Sequence, residues 1–275
     1  MLIECDRATC VERDRVFPLF EDESIFLAGT ISTDRHARVL DLGTGCGLLA
    51  LVAAKQGADV VGTDINPLAL ACAGHNAAVN GLRGTVEWRL GSLFEGLSPR
   101  SFDLIVANPP FLPLPPGIQL FYSSDAGPLG LDIVGPFLLG ARRFLRRGGR
   151  LLLLAISFDG PRGTAVQLLA REAFAYPHDS VRVLDLYGKN VPLQAFCACF
   201  SGAVSTVEWQ KKIELEGFDH LRYLLVEACR EGVLSEDRPV PVFQETEFSG
   251  SWHARLVRYR AWLRAPAMEP HERLS

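Results

Sequence analysis

The residues best placed to do chemistry begin where the apolar pair Val39-Leu40 runs through Asp41-Leu42 into Gly43-Thr44-Gly45-Cys46-Gly47. A strand that ends in closely spaced glycines lets the backbone approach a ligand and adopt angles that other residues resist. A dinucleotide fingerprint requires G-x-G-x-x-G, and its third glycine falls here on Leu48, so NAD is the second choice for this loop. Asp41 just before the first glycine is expected to place a carboxylate at the mouth of the site. That charge repels a pyrophosphate and attracts a cationic amino-acid group. S-adenosylmethionine (SAM), with an ammonium and a sulfonium, has the matching sign.

Two further stretches belong to the same constellation. Asp64, in Val60-Val61-Gly62-Thr63-Asp64-Ile65-Asn66-Pro67, ends a second strand where a carboxylate can accept both hydroxyls of a ribose. The competing reading makes Asp64 the cap of the helix that Pro67 opens. Downstream, Asp103-Leu104-Ile105-Val106-Ala107 leads into Asn108-Pro109-Pro110-Phe111. The prolines bring no amide donors, which leaves the Asn108 side chain and nearby carbonyls as acceptors for a planar NH2 group. Phe111 offers a face for a flat substrate or for shielding a sulfonium. Alone, these residues are equally a tight Pro-Pro turn initiated by Asn.

The elements that must position these residues form an α/β pattern from Arg35 to about Cys199. Strands are predicted at Arg38 to Leu42, Asp59 to Asp64, Val86 to Leu90, Asp103 to Ala107, Arg150 to Ser157, Val181 to Leu186 and Pro192 to Cys199. Helices are predicted at Leu48 to Gln56, Pro67 to Asn80 and Leu131 to Arg147, with Pro136 either kinking the last or marking its true start. The short link between the last two strands predicts an antiparallel hairpin. The expected fold is thus a Rossmann-like sheet of seven strands, five parallel plus a C-terminal antiparallel hairpin, with helices on both faces. Three parts follow: an N-terminal helical segment over 1–35, a catalytic domain over 36–202 and a C-terminal helical extension over 203–275. In that extension Phe218, Leu221, Leu224, Leu225 and Ala228 share one helical face, and Trp252, Leu256, Tyr259 and Leu263 share another.

The motifs DLGTGCG, TDINP and NPPF resemble those of the class I SAM-dependent methyltransferases, in the subgroup that methylates planar nitrogens. Over Phe17 to Ser157 the chain is most similar to the release-factor glutamine methyltransferase family, through LGSLFEGL, VANPPF and AGPLGLDIVGPFLLGARRFLRRGGRLLL. The resemblance implies acceptor binding by Asn108 and Pro109, with Pro110 and Phe111 completing the catalytic turn. It implies cofactor binding by Asp41, Gly43, Thr44, Gly45, Gly47, Asp64, Ile65, Ser92 and Asn108. Ser92 stands where the family usually has an acid that touches the adenine amino group. The short segment before the first strand and the long C-terminal extension also depart from the family, which points to a relative with another acceptor. The acidic stretch Phe17 to Ser24 resembles the segment lying over the family's SAM pocket, or supplies ordinary helix N-terminal acids.

Composition bounds the rest. With 48% apolar and 22% charged residues the chain can bury a core, which excludes disorder as its main character. No apolar run reaches the roughly 20 residues of a membrane span, and the charged N-terminus does not read as a secretory signal; a cytoplasmic protein is expected. Net charge of -4 argues against nucleic acid as partner. The Arg255, Arg258, Arg260 and Arg264 series is either a phosphate-contacting face or the solvated side of a helix. Cysteines and histidines lack metal-ligand spacing, so no metal is expected and the thiols read as reduced. The expected activity is methyl transfer from SAM to an amide or amino nitrogen of a protein or small-molecule acceptor. Two alternatives share the SAM loop: methylation of an exocyclic base amine, and attack on the aminobutyryl arm. A non-catalytic binding partner is the third.

Overall fold

The computed structural model describes residues 1–3, 5, 23–118, 125–186, 191–200 and 204–234. In chain order the elements are α1 (Glu23–Thr30), β1 (Arg38–Leu42), α2 (Leu48–Lys55), β2 (Asp59–Asp64), α3 (Pro67–Val79), β3 (Val86–Leu90), β4 (Phe102–Ala107) and α4 (Val134–Phe144). There follow β5 (Leu145–Asp159), α5 (Ala165–Ala173), β6 (Ser180–Asp185), β7 (Val191–Pro192), α6 (Leu193–Ala198), α7 (Val207–Leu215) and β8 (His220–Cys229).

The sheet runs β3-β2-β1-β4-β5-β8-β6, with β7 pairing to β8. Neighbours from β3 to β5 are parallel, and β8 is antiparallel to β5, β6 and β7. A parallel sheet needs cover on both faces. One face carries a core with Leu27 of α1, Leu51 of α2, Ala69 of α3, Phe196 of α6 and Trp209 of α7. The other carries Phe137 and Leu138 of α4 with Val166 and Ala170 of α5. All the site-bearing strands, β1, β2 and β4, therefore end at one edge of the sheet.

The local signals explain the helix starts. Asn66 caps α3 by accepting the Leu68 N–H at 2.9 Å, with Pro67 supplying a preset first residue. Thr164 caps α5 through the Gln167 N–H at 3.1 Å. Pro136 lies in the first turn of α4, which begins at Val134 rather than Leu131.

The C-terminal half departs from expectation in two linked ways. Residues 193–198 are helix α6 rather than a strand, opened by Pro192 at its cap. The partner of β6 is instead β8, whose residues carry the first helical face expected in the extension. β8 lies between β5 and β6 and is buried on both faces, so its apolar residues form a nearly continuous run that satisfies helical spacing as readily as a strand's. The sheet consequently reaches Cys229, beyond the expected boundary at 202, and the antiparallel hairpin over 181–199 is replaced by pairing across α6 and α7. The Trp252 to Leu263 pattern and the arginine series lie outside the described residues.

Leu225, fully buried at the centre of β8, tests this placement. Leu225→Ala is expected to cost about 3 kcal/mol of stability in urea denaturation, within the range for core leucines. A loss below about 1 kcal/mol, as for a surface helix, would contradict it.

Candidate active site

Beyond β1 the glycine loop is strapped to the end of β2. The Gly43 and Thr44 N–H groups both donate to the Thr63 carbonyl, at 2.9 and 2.8 Å. The Gly45 N–H donates to Asp64 Oδ2 at 2.9 Å, and the Asn66 N–H donates to Asp64 Oδ1 at 2.9 Å. Gly43 and Gly45 have φ of +72° and +54°, a region that costs a side-chain-bearing residue strain. A Cβ at either glycine would meet nothing within 4 Å, so the space over the loop is open to a ligand.

Asp41 is not at the mouth, as the sequence suggested, but sealed beneath the loop with 0% exposure. Its Oδ2 accepts the Thr44 hydroxyl at 2.6 Å and the Ala50 N–H at 3.0 Å, joining the loop to the first turn of α2. Its Oδ1 is buried with no partner among the described residues. Burial pushes the Asp41 carboxyl up to about 7, against the pull of the two hydrogen bonds, and nearby Asp64 adds to the rise. Thr44 is itself buried, so its hydroxyl braces Asp41. Gly47 forms the cap of α2, and a Cβ there would press on Ala73 Cβ at 2.9 Å.

A residue that sequence reasoning passed over supports the loop from below. Trp88 of β3 pairs with Gly62 of β2, and its ring occupies the place a Cβ of Gly62 would take, 2.5 Å from Trp88 Cζ3. The same ring reaches within 3.2 Å of the Cβ position at Gly47. The available signal was a glycine interrupting β2 in register with a tryptophan, a mark of close approach.

Asp64 does not cap α3, since Asn66 does so. Burial raises the Asp64 carboxyl, opposed by the N–H groups of Asn66, Gly45 and Ile65. Next to it Ile65 is 57% exposed, Leu68 50%, and Leu90, the register partner of Asp64, 64%. Exposed apolar side chains beside a carboxylate that retains unused lone pairs make a suitable edge for an apolar ring system attached to a diol. Ser92 is exposed, and its N–H donates to Glu95 Oε2 at 3.3 Å. A ligand with a diol thus finds an acceptor at Asp64 and open space over Gly43 and Gly45.

β4 delivers Asn108 to the same edge. The Asn108 Nδ2 donates to the Ser24 hydroxyl of α1 at 3.0 Å, and its Oδ1 is buried with no partner among the described residues. Pro109 is buried and Pro110 and Phe111 are half-buried. Phe111 packs edge-on against Tyr223 of β8, ring centroids 5.7 Å apart. Beyond it the chain doubles back: the Leu114 N–H donates to Gly127 O at 3.0 Å, and the Trp209 indole of α7 donates to Pro128 O at 2.9 Å. Of the acidic stretch, Phe17 to Asp22 lie outside the described residues. Among the described residues no cluster of metal-ligating side chains occurs and no helix is long and apolar enough to cross a membrane.

Comparison with known proteins locates this arrangement. Residues 20–172 match the family model of the methyltransferase small domain. A release factor glutamine methyltransferase of Gloeobacter violaceus is 39% identical over 148 residues, 50% of this chain and 51% of that protein. Its counterpart in Cereibacter sphaeroides is 38% identical over 154 residues, 52% of this chain and 54% of that one. The chain thus spans about half the length of these curated relatives. A Methanocaldococcus jannaschii protein, named provisionally as a protein N5-glutamine methyltransferase, is 31% identical over 61% of this chain and 86% of its own. A solved geranyl diphosphate methyltransferase in complex with GPP and sinefungin shares the fold, with TM-score 0.50 and 16% identity over 75% of this chain and 76% of that one.

Asp41 has a pH signature. Its folded carboxyl titrates about 7 and its unfolded one near 3.8, so the unfolded state loses the proton first and stability falls as pH rises between those values. Asp41→Asn can keep both hydrogen bonds to one carbonyl oxygen. Urea denaturation is therefore expected to show the variant gaining on the wild type from pH 4 to 7 and holding a constant margin above it; parallel curves would contradict the buried proton.

Proposed function

The chain belongs to the methyltransferase small domain family, and on that premise we propose that it transfers a methyl group from SAM to a planar nitrogen, an amide or amino NH2 of a protein or small-molecule acceptor. The observation that carries the reading is the buried Asn108 Oδ1, which has no partner among the described residues and stands at the sheet edge that also holds the glycine loop and Asp64. A buried carbonyl oxygen left without a donor is costly, and a substrate NH2 supplies the donor. The glutamine methyltransferase names of the relatives favour an amide in a protein as that group.

SAM supplies the electrophilic methyl carbon, and the chain's residues hold and orient. Asp64 accepts ribose hydroxyls with the lone pairs that Gly45 and Asn66 leave unused, and Ile65 and Leu90 give the adenine an apolar border. Asp41, beneath the loop, keeps the loop in shape through Thr44 and Ala50. Asn108 Oδ1 would accept one hydrogen of the acceptor NH2 and so turn the nitrogen lone pair toward the methyl; the N–CH3 bond would form as the S–CH3 bond breaks, S-adenosylhomocysteine leaving and the surplus nitrogen proton passing to solvent, a positioning role that needs no strong general base. Pro109 and Pro110 stiffen the turn, so the acceptor oxygen is held before substrate arrives.

Asn108→Ala is expected to leave SAM affinity by calorimetry nearly unchanged while lowering S-adenosylhomocysteine release about a hundredfold to a thousandfold. Asn108→Asp, which keeps an acceptor, should retain more activity than Ala. Loss of activity only in proportion to lost thermal stability would make the motif a turn and no more. The screen uses glutamine-containing peptides and small amides with mass spectrometry of the products; methylthioadenosine in place of S-adenosylhomocysteine would overturn methyl transfer.

Asp64→Ala should weaken SAM binding by about 1.5 to 3 kcal/mol, the range for hydrogen bonds to a charged group. Unchanged affinity in the titration would remove Asp64 from the ribose site.

A further inference from the structure

We infer that Ser24 is a positioning residue for this site, holding the Asn108 side-chain amide so that its oxygen faces the acceptor. The inference rests on the reading of Asn108 as the NH2-binding group. Ser24 lies in the first turn of α1, 84 residues before Asn108, is 9% exposed and accepts the Asn108 Nδ2 hydrogen at 3.0 Å. Its own position is fixed by α1, which buries Phe26, Leu27, Ala28 and Ile31 in the core. The hydroxyl oxygen therefore approaches Asn108 from a packed helix.

The chemistry of a carboxamide makes this contact consequential. Its oxygen accepts and its nitrogen donates, and a half-turn about the last side-chain bond exchanges them. With Nδ2 bound to Ser24, Oδ1 is the atom left over, and it is buried without a partner among the described residues. In the exchanged state an NH2 would confront the acceptor NH2, donor against donor, and the site would reject its substrate. A serine hydroxyl can accept in the first state and donate in the second, so it fixes the place and plane of the amide while the acceptor NH2, which pairs only with Oδ1, selects the first state; an alanine there removes that hold and leaves the buried amide one partner short. Pro109 and Pro110 restrain the backbone of the motif and leave the amide's rotation to be set by this bond.

Ser24→Ala should lower kcat roughly tenfold, the upper range for one neutral hydrogen bond, with the KM for SAM close to wild type and the melting temperature only a few degrees lower, as for one buried group left unpaired. Ser24→Thr, which restores a hydroxyl, should recover most of the rate. In an Asn108→Ala background Ser24→Ala should have no further effect, because the group it orients is gone. An equal loss in both backgrounds, or no loss in either, would overturn the inference. A second measurement is independent of turnover: the side-chain 15N–1H signals of Asn108 should shift and broaden in Ser24→Ala and return in Ser24→Thr. Unchanged signals would refute the hold on Asn108. If the wild type methylates no NH2 acceptor, the functional reading fails by itself, and these signals still decide whether Ser24 orders the amide.

Discussion

Asp41 ties the glycine loop to the start of α2 from inside the protein, with one oxygen accepting both Thr44 and Ala50. The open space over Gly43 and Gly45 exists because the loop is drawn down onto this carboxylate and across to the Thr63 carbonyl. Asp64 then closes the circuit by accepting the Gly45 N–H. The protein thus keeps two carboxylates close enough for Asp64 to raise the Asp41 carboxyl further, an arrangement that is unfavourable on its own and that a cationic ligand would relieve. Pre-placed acceptors of this kind cost folding stability and reduce the reorganisation a ligand must bring about.

The surroundings of Asn108 are built by long-range packing. Asn108 answers to α1, Phe111 to Tyr223 of β8, and the returning chain at Pro128 to Trp209 of α7. Elements from before and after the motif in the sequence therefore meet around it at the end of β4. Phe158, Phe196, Phe200 and Trp209 stack edge to face behind it, giving α6 and α7 an aromatic anchor. The glycine loop and Asp64 are held by contacts between neighbouring strands, whereas the surroundings of Asn108 and Phe111 are shaped by elements distant in sequence.

Legibility in the sequence follows this division. β1, β2 and β3 match their predicted bounds because each is a short strand pattern between strong punctuation, β3 by alternation in VEWRL, and α3 is announced by Asn66-Pro67. That the glycine loop, Asp64 and Asn108 stand at the ends of strands was legible because glycine and proline chemistry is local. Asp41 is expected at the mouth of the loop and lies beneath it, since its burial depends on Thr44 and α2 folding over it. The contribution of Trp88 required knowing that β2 and β3 pair with Gly62 opposite it. α6 and β8 were exchanged because the difference lies in which segment is covered on both sides, and a one-dimensional pattern does not record its neighbours. Ser24 lay inside a stretch read for its acids, and its value comes from a partner 84 residues away.

The place of β8 also orders events during synthesis. Both strands it joins, β5 and β6, leave the ribosome before it does, yet neither pairs with the other. Until Cys229 has emerged, β5 presents an unsatisfied hydrogen-bonding edge beside the apolar run Leu151 to Ile156, the type of surface that invites pairing with a second nascent chain. Domain-by-domain folding from the N-terminus can assemble the parallel half carrying the glycine loop, but the sheet closes late. Its vulnerable interval is the time needed to translate from Asp159 to Cys229, and synonymous changes that slow that stretch lengthen the interval without altering a single side chain.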